Sequence, residues 1–210
     1  MPPSAPLPFL RTSACQNLLP RDGVVTDHGA LLTPAEADQA FTDLLAELPW
    51  HHDEVILFGK RIVTARKVSW HGDHPFTYTY SRIQRTAQPW TPALGALKAR
   101  IESATGTTYN SCLANLYHHG GEGMAWHSDD EPMLARHAPI ASLSLGAARR
   151  FDFRHKTDST LRLSVQLTHG SLLLMAGETQ SYWLHALPKT KKVTAPRINL
   201  TFRTIITAED

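Results

Sequence analysis

The stretch Asn115–Glu131, which reads NLYHHGGEGMAWHSDDE, holds the residues around which the rest of the chain is organised. Within it, His127 and Asp129 are separated by one residue. Residues two apart in an extended segment project to the same face, so this imidazole and this carboxylate can point at one ion. H-x-D tripeptides also occur by chance, and a surface pair explains this stretch equally well when it is taken alone.

A third ligand is suggested downstream by His185, in the stretch SYWLHALP at 181–188. Two histidines and one carboxylate on one face of a site, with the opposite positions open, form the facial triad of non-haem Fe(II) oxygenases. His127, Asp129 and His185 are therefore the candidate metal ligands. The other histidines show no spacing that requires a metal, and the pattern indicates surface or hydrogen-bonded residues.

Length and composition narrow the class of protein. The 210 residues fit one domain and are enough to bury a core. Lys and Arg number 21 against 19 Asp and Glu, so the net charge of +2 does not indicate a nucleic-acid partner, and any basic surface must be local. Cys15 and Cys112 have no C-x-x-C spacing, which argues against a disulfide framework or a zinc site and fits a reducing compartment.

The ends of the chain and its hydropathy predict where the protein works. No apolar run approaches the length of a membrane span, and the N-terminus lacks the features of a signal peptide. We expect a soluble protein that is not secreted, in the bacterial cytoplasm or nucleoid or in a eukaryotic nucleus, and monomeric. Residues 1–20 are rich in Pro and Ser and predict a flexible arm, followed by a single domain over 21–210.

The first half of the chain predicts two helices and several strands. Thr33-Pro34-Ala35-Glu36 has the spacing of a capping box with Pro at the first helical position, and predicts a helix to about Leu48. Thr91-Pro92 opens a second helix that runs to about Ser103 and is closed by Gly106. Strands are predicted at 24–25, 30–32, 53–61 with a turn at Gly59, and 77–80.

From Tyr109 the pattern changes to repeated short strands separated by turn residues. They are predicted at 111–117, 140–145, 150–154, 161–167, 171–175 and 197–206. Strands at this spacing favour a sandwich or barrel, here flanked by the two earlier helices. The predicted fold is α+β and mainly β, with a jelly-roll core, also called a double-stranded β-helix, whose open mouth can hold a metal and a small cosubstrate.

A second informative stretch is PRINLTFR at 196–203. In a strand, one face would carry four polar side chains and the other three apolar ones: Arg197, Asn199, Thr201 and Arg203 against Ile198, Leu200 and Phe202. Two inward-facing arginines need anionic partners, which a dicarboxylic cosubstrate would supply through bidentate pairing. The pattern fits equally a half-exposed strand whose polar side faces solvent.

Taken together, H-x-D at His127 and Asp129, the distal His185 and R-x-N-x-T-F-R at 197–203 resemble the AlkB family of Fe(II)- and 2-oxoglutarate-dependent nucleic-acid dealkylases. The resemblance covers about Val55 to Ile206 and is closest to the branch that repairs duplex DNA. It implies that His127, Asp129 and His185 hold Fe(II), with O2 and 2-oxoglutarate as cosubstrates. The implied 2-oxoglutarate residues are Asn115, Tyr117, Arg197, Asn199, Thr201 and Arg203, with Arg197 on the distal carboxylate.

The same resemblance implies a nucleotide-recognition segment at about 53–90. In it, Tyr78 and Tyr80 match the aromatic positions that stack a flipped base against His127, although Tyr80 stands where that branch has Phe. Arg66 matches a basic residue beside the pocket, and Phe58 matches a finger that enters the base stack. Asp130 and Glu131 match an acidic pair next to the damaged base. Without the resemblance, Phe58 and the two tyrosines would be read as packing residues.

The function implied is oxidative demethylation of 1-methyladenine and 3-methylcytosine in DNA, duplex or single-stranded, with release of formaldehyde and succinate. Clusters of Lys and Arg are candidate phosphate contacts, although basic runs also serve solubility. Three alternatives stay open. They are an RNA demethylase, a 2-oxoglutarate oxygenase acting on protein or a small molecule, and a non-catalytic nucleic-acid-binding module, which would give no reason for the triad and the arginine pair to coexist.

Overall fold

The computed structural model describes residues 16–57, 60–80 and 83–206, and it leaves out the side chains of 55–61 and 78–84. The helices are α1 (Pro34–Glu47), α2 (Pro92–Thr105) and α3 (Thr179–Tyr182). The strands are β1 (Val24–Ala30), β2 (His51–Leu57), β3 (Lys60–Gly72), β4 (Thr77–Tyr80), β5 (Ile83–Thr86), β6 (Ser111–Tyr117), β7 (Met124–His127), β8 (Ile140–Gly146), β9 (Arg149–His155), β10 (Arg162–Leu167), β11 (Ser171–Ala176), β12 (Trp183–Leu187) and β13 (Arg197–Arg203).

The strands form a large and a small sheet. Seven strands make the large sheet in the order β1-β11-β8-β13-β6-β3-β2, and four make the small sheet in the order β10-β9-β12-β7. The hairpin β4-β5 is a separate two-stranded sheet. Neighbouring strands within these sheets run antiparallel. The prediction of a mainly β jelly-roll core with flanking N-terminal helices is confirmed.

The central strands of the large sheet are buried on both faces. On its helix side, Leu200 and Phe202 of β13 pack with Leu94 and Ile101 of α2 in one apolar cluster. On its other side a second apolar cluster joins residues of the large sheet to residues of the small one, including Val25, Tyr117, Phe153, Leu173 and Trp183. A strand such as β13, in the middle of this sheet, therefore has little contact with solvent on either face.

The helix boundaries follow the predicted signals. The Thr33 side chain accepts a hydrogen bond from the backbone N–H of Glu36, and the Glu36 side chain accepts one from the backbone N–H of Thr33. Thr91 caps α2, which has Pro92 at its start and ends at Gly106 with φ of 67°. Both predicted helices are confirmed. Among the helices in the part of the chain that the structure describes, none is long and apolar enough to span a bilayer.

Other local predictions were wrong or incomplete. The predicted strand at 30–32 is instead the end of β1, and the N–H groups of Leu31 and Leu32 both bond the carbonyl oxygen of Gly170. The elements β5, β7, β12 and α3 were not predicted, because each has only four or five residues. At the start of the described chain, Leu19 is buried and the N–H of Leu18 bonds the carbonyl of Val25, so ordered packing extends N-terminal of residue 21.

Candidate metal and cosubstrate site

The three predicted metal ligands lie together between the two sheets. His127 ends β7 and stands directly opposite His185 of the neighbouring β12, with the two ring centroids 4.3 Å apart. Asp129 follows two residues after His127, and one ligand atom from each of the three residues lies within 4.8 Å of the others. Strand pairing therefore brings together side chains that are distant along the chain.

The imidazole of His127 is oriented by its own strand. Its Nδ1 lies 2.8 Å from the carbonyl oxygen of Ala125. A carbonyl can only accept a hydrogen bond, so Nδ1 carries the proton and Nε2 keeps its lone pair. Nε2 lies 3.8 Å from Oδ1 of Asp129. An ion bound by both residues would lie between these two atoms. This is the usual way in which a ligating histidine has its tautomer fixed.

The carboxylate of Asp129 is divided between two tasks. Its Oδ2 accepts hydrogen bonds from Nη2 and Nε of Arg203 at 2.8 and 3.3 Å, while Oδ1 faces His127. Burial alone would raise the pKa of Asp129, but the charge and hydrogen bonds of Arg203 and the neighbouring His185 and His127 together outweigh burial and hold this pKa at about 2. Arg203, expected from the resemblance to border the cosubstrate, thus also holds a candidate metal ligand.

His185 is buried against the small sheet. Its ring lies 5.3 Å from that of Phe151 and 6.0 Å from that of Phe153. Burial lowers the pKa of His185 to about 4, and its Nδ1 is buried without a hydrogen-bond partner. At neutral pH the site therefore offers a neutral buried imidazole and a carboxylate, which fits a divalent cation because metal ligands must be deprotonated.

Arg197 is buried at the opposite end of β13 from Arg203, at 1% exposure. Its Nη2 donates to Ser144 Oγ at 3.0 Å and to Asn199 Oδ1 at 3.2 Å, and its guanidinium lies 5.6 Å from the centre of the Tyr117 ring. The half-exposed interpretation of 196–203 is wrong for this end of the strand, because β13 is covered on both faces.

Arg197 fits an anionic ligand. Its Nε and Nη1 are buried without hydrogen-bond partners. Burial lowers its pKa to about 10, so the guanidinium keeps its charge at neutral pH. A buried charged donor that lacks a partner is costly, and a carboxylate is an anion that can accept a hydrogen bond from the free Nη1. A dicarboxylic cosubstrate would supply such a carboxylate.

The predicted cosubstrate residues form paired rows on one face of the large sheet. Across β13 and β6 the opposite pairs on this face are Arg203 with Ser111, Thr201 with Leu113, Asn199 with Asn115 and Arg197 with Tyr117. Residues two apart in a strand share a face, so these rows form one wall that runs along the β13-β6 pair. All six predicted cosubstrate residues lie on this wall.

Arg66, the basic residue predicted beside a base pocket, lies on β3 and is engaged by two other side chains. It is buried, and its guanidinium donates to the Asn115 side-chain oxygen and pairs with the Asp53 carboxylate. The other oxygen of Asp53 pairs with Arg85. Asp53 thus joins β2, β3 and the β4-β5 hairpin, and connects them through Arg66 to the cosubstrate wall.

A cavity of about 880 Å³ opens beside the triad. Arg203 and Glu131 border it on the metal side, Trp70 and Leu113 form an apolar wall, and Arg85 borders it from the recognition segment. Cavities of this size, mostly apolar with a few polar groups, are typical of small-molecule and cofactor sites. Because Arg203 also bonds Asp129, a ligand in this cavity would lie next to the metal site.

The two acidic residues after the H-x-D motif have different surroundings. Glu131 is half-buried and its Oε2 has no hydrogen-bond partner; burial raises its pKa. Asp130 is exposed, accepts a hydrogen bond from Ser128 Oγ at 2.9 Å, and lies 3.6 Å from Lys156 Nζ. Glu131 borders both the large cavity and a second cavity of about 290 Å³, whereas Asp130 borders only the second, which also reaches Asp129.

The remaining predicted substrate residues are described only in part. Tyr78 and Tyr80 lie on β4, opposite Arg85 and Ile83 of β5, but their side chains are outside the description. Phe58 lies outside the described residues altogether. The stacking role of the two tyrosines and the finger role of Phe58 therefore stay predictions.

Sequence reasoning missed Asp53 and Gln180. Asp53 neutralises two arginines, and the Gln180 side-chain oxygen accepts a hydrogen bond from the backbone N–H of Asp129 at 2.9 Å. Neither residue belongs to a motif. For Asp53, the one available signal was the surplus of Arg in 53–90, since buried arginines require acidic partners.

Comparison with known proteins agrees with this geometry. Residues 23–203 match the family described as the 2OG-Fe(II) oxygenase superfamily. The chain is 41% identical over 195 residues to the mouse "DNA oxidative demethylase ALKBH2", covering 88% of this chain and 82% of that protein. It is 44% identical over 179 residues to the human "Alpha-ketoglutarate-dependent dioxygenase alkB homolog 3", covering 81% of this chain and 62% of that protein.

The fold has a counterpart among solved structures. The protein described as "The structure of OsALKBH1" superposes with a TM-score of 0.60 at 17% identity, over 95% of this chain and 100% of that one. At this identity the similarity concerns the fold alone. The matched family and the relatives above carry the assignment. The chain belongs to the 2OG-Fe(II) oxygenase superfamily and, within it, to the AlkB family, so its metal is Fe(II) and its cosubstrates are 2-oxoglutarate and O2.

Proposed function

We propose that this enzyme demethylates N-methylated bases in DNA, with 1-methyladenine and 3-methylcytosine as substrates, by direct reversal of the damage. The observation that carries the proposal is the cavity of about 880 Å³ that shares Arg203 with the metal site. The name of the mouse relative, a DNA oxidative demethylase, supports the class of substrate. A base held in this cavity would present its methyl group to the metal.

His127, Asp129 and His185 are the residues proposed to hold Fe(II). Their ligand atoms already lie within 4.8 Å of one another, and the backbone and Arg203 orient the first two. Because Arg203 occupies Oδ2 of Asp129, the carboxylate has one oxygen, Oδ1, free for the ion. The protein thus fixes three positions on one face and leaves the others to the cosubstrates.

Arg197 is proposed to bind the distal carboxylate of 2-oxoglutarate through Nη1, which lacks another partner. Tyr117, Asn115, Asn199 and Thr201 would form the wall along which the cosubstrate lies. Arg203 would complete that wall beside Asp129.

With Fe(II) bound, 2-oxoglutarate and O2 are converted to succinate and CO2 while one oxygen atom enters the methyl group as a hydroxyl. The hydroxymethyl group then leaves as formaldehyde, and the ring nitrogen recovers its lone pair and the unmodified base. The residues described above bind, orient and shield the reactants in this reaction.

The acidic side chains favour the damaged base. A methyl group on N1 of adenine or N3 of cytosine gives the ring a positive charge, which attracts carboxylates such as those of Asp130 and Glu131. We further propose that Tyr78 and Tyr80 stack a flipped base and that Phe58 fills the gap in the duplex, where aromatic stacking is worth about 1–3 kcal/mol per base. Arg66 acts from behind this pocket, through Asp53 and Asn115.

The partner is DNA, and the enzyme works on it as a monomer inside the cell. One experiment tests the substrate. Purified enzyme with Fe(II) and 2-oxoglutarate is given the same methylated sequence as duplex DNA, single-stranded DNA and RNA, and the repaired base is quantified by mass spectrometry. We expect repair of DNA and none with Asp129→Ala. Repair of RNA in preference to both DNA forms would identify an RNA demethylase, and cosubstrate turnover without base repair would overturn the proposal.

Phe58→Ala refines the same experiment. If Phe58 is a finger, its loss removes activity on duplex DNA and leaves activity on single-stranded DNA, because only a duplex has a stack to fill. Equal loss on both substrates would assign Phe58 to packing.

A further inference from the structure

The loop that carries Asp129 is held by a hydrogen bond to a side chain outside the sheets. His127 and His185 are aligned by the pairing of β7 with β12, but Asp129 lies beyond the last residue of β7. Its backbone N–H donates to the side-chain oxygen of Gln180 at 2.9 Å. The position of the third ligand therefore depends on a side chain from α3, in addition to the Arg203 contact on its carboxylate.

Gln180 is itself firmly placed. Its neighbour Thr179 is buried, and Thr179 Oγ1 accepts the N–H of Val24 at 2.9 Å and lies 2.6 Å from the carbonyl oxygen of Ala176, to which it donates. The carbonyl of Gln180 accepts a hydrogen bond from Lys156 Nζ at 2.8 Å. Its amide nitrogen lies 3.6 Å from the sulfur of Met175. The acceptor that Gln180 offers to Asp129 thus rests on contacts with several strands.

The loop has room to move if the hydrogen bond from Asp129 to Gln180 is lost. The cavity of about 290 Å³ lies between the loop and α3, and it is bordered by Asp129, Asp130, Gln180 and Ser181. Backbone that borders an open space has no packing neighbours on that side, so its hydrogen bonds matter more for its position. The same helix α3 leads directly into β12, which carries His185. One short segment therefore sets the positions of two ligands.

We infer that Gln180 is a positioning residue of the metal site: its side-chain oxygen holds the Asp129 backbone so that the carboxylate meets the two histidines. Gln180 does not touch the metal or the substrate. The inference rests on the metal centre and is independent of which nucleic acid is repaired. Partners that orient metal ligands typically change metal affinity by about 10- to 100-fold when they are removed.

The test compares two substitutions of nearly equal size. Gln180→Met removes the acceptor, and Gln180→Glu keeps it, while both lose the amide contact with Met175. Mn(II) binding to the full chain is measured by calorimetry, with and without 2-oxoglutarate. We expect Gln180→Met to bind Mn(II) about 10- to 100-fold more weakly and Gln180→Glu to bind it at least as tightly as the wild type. Gln166→Met, on the exposed side of β10, is the matched control and should bind normally.

A second measurement tests the hydrogen bond between Asp129 and Gln180 in the absence of metal. Backbone hydrogen exchange at Asp129 in the metal-free protein should be faster in Gln180→Met than in the wild type by about 2- to 10-fold, the range expected for one hydrogen bond. Measuring Gln180→Glu at low and high salt separates the acceptor from the added charge, because only the charge effect is screened.

Two results would overturn the inference. One is unchanged Mn(II) affinity and unchanged exchange at Asp129 in Gln180→Met. The other is equal weakening in Gln180→Met and Gln180→Glu, which would assign the effect to packing of α3. Failure of DNA repair with normal Mn(II) binding would instead count against the proposed substrate.

Discussion

Two regions of the molecule are built in different ways: the metal and cosubstrate site, and the proposed recognition segment at 53–90. Arg197 lies on β13, which is paired on both sides by β8 and β6, and His185 lies on β12, paired on both sides by β9 and β7. The proposed recognition segment consists of β2 at the edge of the large sheet, β3 beside it, and the separate hairpin β4-β5. Two-stranded hairpins are marginal by themselves, so β4-β5 depends on its side-chain contacts.

From this contrast we infer that the two regions have separate roles, one in the reaction and the other in substrate binding. Arg197 and His185 are fixed by doubly paired strands within the core, which hold them in place before any substrate arrives. The segment that we propose selects the substrate is held to the core by the buried Asp53 carboxylate between Arg66 and Arg85. We expect changes in the first region to abolish the reaction and changes in the second to alter the affinity for nucleic acid.

The largest effect is expected from the triad. His185→Ala should remove metal binding, because His127 and Asp129 alone leave the metal one protein ligand short. The turnover of 2-oxoglutarate, with or without nucleic acid, should then fall by about 10³-fold or more. The measurement is succinate formation together with Mn(II) binding. His28→Ala, on the edge strand β1, is the control and should behave as the wild type. Metal affinity that survives in His185→Ala would remove His185 from the site.

Arg197→Met should give the next largest effect. Removing one partner of a buried charged pair costs about 2–5 kcal/mol, so the Kd of 2-oxoglutarate should rise by about 30-fold or more. The sharper measurement uses 2-oxovalerate, which lacks the distal carboxylate. The wild type should strongly prefer 2-oxoglutarate, whereas Arg197→Met should bind the two acids with similar affinity. A preference that persists in the variant would place the distal carboxylate elsewhere.

Asp53→Asn tests whether the two regions can be separated. The variant leaves Arg66 and Arg85 without the carboxylate that neutralises them, and breaking a buried pair costs about 3–5 kcal/mol. If a third of that cost reaches the binding step, the KM for a methylated oligonucleotide rises about tenfold, while the Kd of 2-oxoglutarate stays near its normal value.

The control for this prediction is Asp152→Asn, which breaks a pair with the exposed Arg150. Such pairs contribute about 0–1 kcal/mol, so little should change. Equal losses of oligonucleotide and 2-oxoglutarate binding in Asp53→Asn would show that the Arg66–Asn115 contact transmits the change to the cosubstrate residues. The two regions would then not have separate roles.

The smallest effect lies outside both regions. Thr33→Ala removes the N-terminal cap of α1 and should lower the free energy of unfolding by about 1 kcal/mol, with no change in the Kd of 2-oxoglutarate. Thr42→Ala, on the exposed face of the same helix, is the matched control and should lose less. Denaturant unfolding measures both. An effect of Thr33→Ala on cosubstrate binding would mean that α1 contributes to the site.

Much of this architecture was predictable because its signals are local. The capping box at Thr33 and Glu36, the closing Gly106 and the alternation along 197–203 each depend on residues a few positions apart. The prediction that His185 joins His127 and Asp129 came from the residue types that one metal requires, and the geometry agrees with it.

The rest required long-range information. Gln180 bonds a backbone group 51 residues away, and Asp53 bonds Arg66 and Arg85 from other strands. No periodicity or motif marks such contacts. The burial of both faces of β13 was also open from the sequence, because the same alternation fits a half-exposed strand until the neighbours of that strand are known.

The most direct test of the central account is a single-turnover experiment. Enzyme loaded anaerobically with Fe(II), 2-oxoglutarate and a DNA oligonucleotide containing 1-methyladenine is exposed to air, and the base, formaldehyde and succinate are quantified together. The account predicts equal amounts of unmodified adenine, formaldehyde and succinate, and none of the three with Asp129→Ala. Succinate formed in the wild type while the methylated base persists unchanged would contradict it.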